Sequence, residues 1–214
     1  MWIFFLFYDK LIIGDSMKTK INSIDKMCDI MKKNKGYITS TMVDNAGIHR
    51  MYLKMLLKKG IIRKVDKGIY LDVNVVNDKL YTYYLRNQHF IYSHFTSLYL
   101  HNVIGTIRGK YDLTITNEYH NPHLTDNNLY FVSDKIYNLG KEKIKTKCGN
   151  TVVCYNLERT ICDLIRSIKR LDEHDVNIMI KRYLKDNNCN LKRLYEYAKK
   201  MNIYDEVSMR IGDK

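Results

Sequence analysis

The sequence predicts an α+β protein: an N-terminal winged helix-turn-helix domain followed by a mixed α/β C-terminal domain with a helical end. Three observations carry this. Gly47 and Gly60 stand where helix C-terminal glycines belong, because a residue without a Cβ adopts the left-handed cap cheaply, so one helix stops at the first and another at the second. Two short β-prone runs, Ile61 to Val65 and Ile69 to Leu71, flank Asp66-Lys67-Gly68, a hairpin signal. After Leu71 the pattern changes to two helical stretches, then strand-length apolar runs, then helical periodicity again.

Taken in order, residues 1–16, MWIFFLFYDKLIIGDS, hold an apolar run from Trp2 to Tyr8 that Asp9 and Lys10 interrupt. That is short of the ~20 residues a membrane helix needs, no basic region precedes it, and no small-residue cleavage site follows. It reads as an upstream N-terminal extension ahead of Met17, or as a minor packing strand. Residues 17–72 form the first domain. Ser23 is the expected N-cap of a helix whose inner face is Ile24, Met27, Ile30 and Met31, ending before Gly36. Thr39, Ser40 and Thr41 open the next helix, where hydroxyls cap N–H groups or meet phosphate. From Ile48 to Lys59, Leu53, Leu56 and Leu57 mark a buried stripe, leaving Arg50, Met51, Lys54 and Lys58 on the flank or opposite side. The second domain, 78–214, is expected to contain helices over Asp78 to Arg86 and from Ser93 through His101. Strands are expected at Leu113 to Thr116, Leu129 to Val132, Ile144 to Thr146 and Val152 to Tyr155. Three capped helices close the pattern: Leu157 to Lys169 behind Asn156, Glu173 to Lys185 behind Asp172, and Leu191 to Met201 behind Asn190.

Charge points to a partner. Between Met17 and Asp72 there are 13 Lys and Arg against 5 Asp, a net +8 of the chain's +13. A helix on such a face fits the DNA major groove, and the cations attract phosphate and release counterions. The expected contacts are Thr39, Ser40, Thr41, His49, Arg50, Met51, Lys54, Lys58, Arg63, Lys64 and Lys67. Five cysteines with no Cys-x-x-Cys pair argue against a zinc ribbon or disulfide framework and fit a cytoplasmic protein. His89, His94 and His101 do not share a helical face, and His120 and His123 flank Pro122 without a carboxylate cluster, so no metal and no cofactor are expected. Asp112, Glu118, Asp134 and Lys135 have no spacing that demands a nuclease, and neither a phosphate loop nor a Gly-x-Ser-x-Gly elbow is present, so no catalytic residues are expected. A metal-dependent DNA nuclease and a protein-binding winged helix stand as the other readings.

The order of these pieces resembles the AbiEi family of antitoxins and regulators from type IV bacterial toxin-antitoxin systems. The likeness is carried by Gly36-Tyr37-Ile38-Thr39, Gly47-Ile48-His49-Arg50, Gly60 to Val65 and Lys67-Gly68-Ile69-Tyr70. It continues in Ser93-His94-Phe95-Thr96-Ser97-Leu98-Tyr99-Leu100-His101 and in Asn156-Leu157-Glu158-Arg159-Thr160-Ile161-Cys162-Asp163-Leu164. The resemblance implies a winged helix that represses its own operon on promoter inverted repeats. It also implies a C-terminal domain that opposes a nucleotidyltransferase-like toxin without a stable complex. It marks Arg50, Lys54, Arg63 and Lys67 as DNA contacts and Glu158, Arg159, Thr160 and Asp163 as the signature of the second domain. The Lys, Asn and Tyr richness of this chain departs from many relatives, and a solitary regulator without a toxin is the alternative.

Overall fold

In the computed structural model, which describes residues 15–107, 109–119 and 124–212, the first described element is helix α1 (Asp15–Lys33). Most of the expected N-terminal extension, with His120, Pro122 and His123, lies outside the described residues. Ser23 is not an N-cap, because the helix already runs through it from Asp15. Met27 and Met31 are buried from one face of α1, in the same core as Ile38, Val43, Ile48, Leu53, Leu56 and Ile62. Strand β1 (Tyr37–Thr39) follows, then α2 (Ser40–Asn45), α3 (Met51–Lys58), β2 (Ile62–Asp66) and β3 (Ile69–Asp72). The three strands form an antiparallel sheet in the order β1-β3-β2, with Ile38 opposite Tyr70 and Arg63 opposite Leu71. A bulge between Lys64 and Asp66 leads the hairpin into its turn.

Both short helices end in the same hydrogen-bond pattern. Ile48 N–H reaches Val43 O at 3.0 Å and Gly47 N–H reaches Asp44 O at 2.9 Å; Ile61 N–H reaches Leu56 O and Gly60 N–H reaches Leu57 O, each at 3.0 Å. Gly47 (φ +68°) and Gly60 (φ +66°) occupy the left-handed positions these caps require. The apolar residue after each glycine packs against the core that the helix covers.

Helix α4 (Lys79–Arg86) belongs with this first unit, not with the second domain, and the division of the chain falls between Arg86 and Asn87. Its stripe explains why: Tyr81 and Leu85 pack against Tyr37, Ile69 and Leu71. The buried Tyr37 hydroxyl accepts from Asp78 N–H at 2.8 Å, and its ring meets Tyr81 edge-on at 5.0 Å.

The second unit is built on a five-stranded mixed sheet of β4 (Ile91–Tyr92), β5 (Asp112–Thr116), β6 (Asn128–Val132), β7 (Lys141–Lys145) and β8 (Thr151–Tyr155), ordered β6-β5-β4-β8-β7. β4–β8 and β5–β6 are parallel, while β4–β5 and β7–β8 are antiparallel. Helix α5 (His94–Leu100) packs on β5 and β8, and the short α6 (Asp134–Tyr137) lies near β5. Helix α7 (Leu157–Arg166), continued by a 3₁₀ turn at Ile168–Arg170, meets α5 on one side. On its other side α8 (Glu173–Lys185), α9 (Leu191–Lys200) and α10 (Tyr204–Ile211) close an apolar core around Ile161, Leu164, Ile165, Val176, Leu194 and Val207. Asn156, Asp172 and Asn190 each accept from the N–H three residues on, so the three helices begin at their expected caps. No helix among the described residues is long and apolar enough to cross a membrane.

All five cysteines are free. Cys154 and Cys162 are buried, and burial pushes the Cys162 thiol up to about 12, as expected of small core residues; Cys148 is exposed and is not one of them.

Candidate nucleic-acid interface

Helix α3 turns Leu53 and Leu56 inward, and 3.6-residue periodicity then places Met51, Lys54 and Lys58 outward along a single stripe. Met51 is 57% exposed, a large apolar side chain left facing out at the start of the helix. Lys54 and Lys58 form no ion pair among the described residues. His49 is exposed, and its Nδ1 accepts from Met51 N–H at 3.1 Å.

Arg50 is exposed but engaged. Its Nε donates to Asp44 Oδ1 at 2.8 Å and its Nη2 to Oδ2 at 2.5 Å, a two-pronged contact across the α2–α3 turn. That hydrogen bond, with the guanidinium charge, holds the Asp44 carboxyl below its ordinary range and raises the Arg50 pKa. Arg63 donates from Nη2 to Val75 O at 2.8 Å, while Lys64 and Lys67 are exposed on the hairpin and carry no ion pair among the described residues. The three helix-opening hydroxyls divide. Thr39 is buried and its Oγ1 accepts from Met42 N–H at 3.1 Å, so it caps α2 from inside the structure. Ser40 is half-buried, its N–H bonded to Gly68 O at 2.9 Å, and Thr41 is exposed. The fold therefore gathers Thr41, His49, Met51, Lys54, Lys58, Lys64 and Lys67 as outward groups of one unit, with Arg50 and Arg63 exposed but partnered.

Residues 30–71 match the family described as transcriptional regulator, AbiEi antitoxin. The AbiEi-like segment thus runs from the end of α1 through β3, and it contains every position of the candidate interface. No curated protein matches the chain. Among solved structures, the RV2827C protein from Mycobacterium tuberculosis is similar with a TM-score of 0.46 at 9% identity, over 89% of this chain and 80% of that one.

Beyond the AbiEi-like segment, the second unit's signature residues are interior. Arg159 is fully buried: Nε donates to Asp163 Oδ2 at 3.1 Å, Nη1 to Ile136 O at 2.5 Å and Leu139 O at 2.9 Å, and its guanidinium lies 4.2 Å from the Tyr155 ring centroid. Burial pushes the Asp163 carboxyl upward against the pull of Arg159 and Arg166. Thr160 Oγ1 donates to Ser97 Oγ at 2.9 Å, and Glu158 accepts from Tyr183 and Arg193 at 3.4 and 3.5 Å. These four residues bind α7 to α5, α6, α8 and α9.

The histidines separate as their spacing suggested. His89 stacks on Tyr119 at 5.0 Å. His94, wholly buried, lies with Nδ1 2.9 Å from Ser93 Oγ, Nε2 3.0 Å from Ser167 Oγ and its ring 3.5 Å from that of Tyr130. Burial, then the charges of Arg166, Arg159 and Arg170, hold its pKa well below the ordinary value, so it is neutral. His101, Glu142 and Cys154 come together with donor atoms within 4.8 Å of one another, a grouping that spacings in sequence did not reveal. His101 Nε2 is 2.9 Å from Tyr155 O, and a carbonyl only accepts, so Nε2 carries its proton and offers no lone pair to a metal in this arrangement.

Proposed function

We propose that the protein is a cytoplasmic, sequence-specific repressor that binds double-stranded DNA through a winged helix-turn-helix, with α3 in the major groove. In this reading Met51 and Lys54 face base edges, Thr41 and Lys58 meet phosphates, and Arg63, Lys64 and Lys67 of the β2–β3 wing track the backbone or the neighbouring minor groove. Arg50 joins them once phosphate displaces Asp44. The protein acts by binding and not by catalysis. It serves as the antitoxin of a type IV system, repressing its own promoter at inverted repeats and opposing a nucleotidyltransferase-like toxin without a stable complex.

What supports this is one observation: an exposed α3 stripe of Met51, Lys54 and Lys58, its lysines free of acidic partners among the described residues, within a segment that matches a family of regulators and antitoxins. The test is a gel-shift series on the DNA upstream of the gene. Wild type is expected to retard it with an affinity that falls steeply with salt, and a Lys54→Ala, Lys58→Ala protein to lose most of that affinity. Equal retardation by both proteins would refute the placement of α3.

A further inference from the structure

The second unit holds a cleft beside edge strand β6 and the end of α7, lined by Tyr130, Phe131, Arg166, Ser167, Lys169 and Arg170. Its lining carries three cations and no acid. Two of the cations are held in place. Arg166 Nη2 lies 3.4 Å from Oδ1 of the buried Asp163, which divides its charge between Arg159 and Arg166 and so leaves the cleft positive. Arg170 donates from Nη2 to Leu129 O at 3.3 Å and lies over the Tyr130 ring, 4.8 Å from its centroid. Lys169 forms no ion pair among the described residues.

The cleft floor is equally fixed. Tyr130 stacks on His94, and His94 links Ser93 to Ser167, a lining residue. His94 holds φ +46°, a left-handed conformation that costs a residue with a Cβ and persists only where surrounding contacts impose it. In contrast, Phe131, also a lining residue, is 48% exposed. Prepositioned guanidinium groups lose little freedom on meeting a phosphate, and an open aromatic face accepts a nucleobase of any kind.

We propose that this cleft binds a nucleotide unit, its phosphate on Arg166, Lys169 and Arg170 and its base stacked on Phe131. The base must be unpaired, because in a duplex both of its faces are covered by neighbours. The ligand is thus a free nucleotide or a single-stranded nucleic acid, which share this chemistry. The site is independent of α3 and of the duplex-binding reading.

The experiment uses the full chain and a fluorescent single-stranded RNA of about ten nucleotides, followed by anisotropy, with a duplex as the second probe. Phe131→Ala, and separately Lys169→Ala with Arg170→Ala, are expected to weaken single-strand binding about tenfold and to leave duplex binding unchanged. Lys54→Ala with Lys58→Ala is expected to do the reverse. Displacement of the RNA by ATP identifies a free nucleotide as a sufficient ligand, and resistance to ATP identifies the polymer; both support the site. Lys169→Ala alone, at an exposed position, guards against loss of fold and is expected to give a smaller loss in the same direction. Unchanged RNA affinity in the cleft variants, or its loss in the Lys54, Lys58 variant instead, would overturn the proposal.

Discussion

Replacing Asp44 with asparagine is expected to tighten duplex binding and steepen its salt dependence. Asp44 holds Arg50 by both carboxylate oxygens on the open side of the first unit, so in the free protein one cation of the α3 face is neutralised by its own chain. A phosphate must displace that carboxylate before it can use the guanidinium. Asparagine keeps the shape and removes the competing charge. Each phosphate neutralised contributes about 0.9 to the slope of log affinity against log salt. One additional contact therefore makes Asp44→Asn lose about 3.5-fold more affinity than wild type between roughly 50 and 200 mM salt. Anisotropy titrations of the labelled upstream duplex at several salt concentrations measure both slopes. The exposed pair contributes little to folding, so a change in binding is not a change in fold. Coincident slopes for the two proteins, or an unchanged difference when Arg50 is also replaced by alanine, would refute the idea that Asp44 withholds Arg50 from phosphate.

Three further outcomes are expected. Gly140→Ala should lower the urea midpoint of unfolding, by about 2 kcal/mol or more in stability, because Gly140 has φ +73° and a Cβ there would lie 2.6 Å from Arg159 Cβ. Asp163→Ala should cost about 3–5 kcal/mol in the same assay, since it strands Arg159, fully buried, without its counter-charge. The His94 pKa is depressed in the folded state by burial and by Arg166, Arg159 and Arg170. The unfolded chain therefore takes up that proton first, and this contribution to stability is intact above about pH 6.5 and lost as pH falls below it. Thermal melts should show that loss in wild type, and His94→Asn, which tolerates the left-handed backbone, should lack this component.

Much of this fold is legible in the sequence where local chemistry announces it. Gly47 and Gly60 mark the ends of α2 and α3, and Asn156, Asp172 and Asn190 mark the starts of α7, α8 and α9, because each signal is a cap satisfied within a few residues. α10 escapes the same reasoning: its N-cap, Ile203, has no side chain able to accept, so nothing flags the start. β1 and β4 are three and two residues long, too short to show a period. The outward positions of Lys54 and Lys58 follow from helical periodicity, whereas the Asp44–Arg50 contact closes across a turn that no repeat predicts. Burial of charge is the hardest to foresee. The four-residue spacing of Arg159 and Asp163 is plain, but charged residues are ordinarily at the surface, and only the assembled carbonyls of Ile136 in α6 and Leu139 just beyond it make their interior place tenable. The cleft beside β6 is invisible for a related reason, since His94 and Ser167 stand 73 positions apart and meet only where α5 packs against α7.

The hydroxyl of Tyr37 has a practical consequence for anyone who wishes to graft the AbiEi-like segment onto another protein. That segment ends at residue 71, yet the tyrosine within it takes its hydrogen bond from Asp78 and its ring contact from Tyr81. A fragment cut at the family boundary would uncover a wholly interior aromatic ring and remove Asn77, Asp78 and Thr82, which meet its hydroxyl. The smallest transplantable unit therefore extends through Arg86, whose guanidinium reaches back to within 3.7 Å of Asp66 on the hairpin.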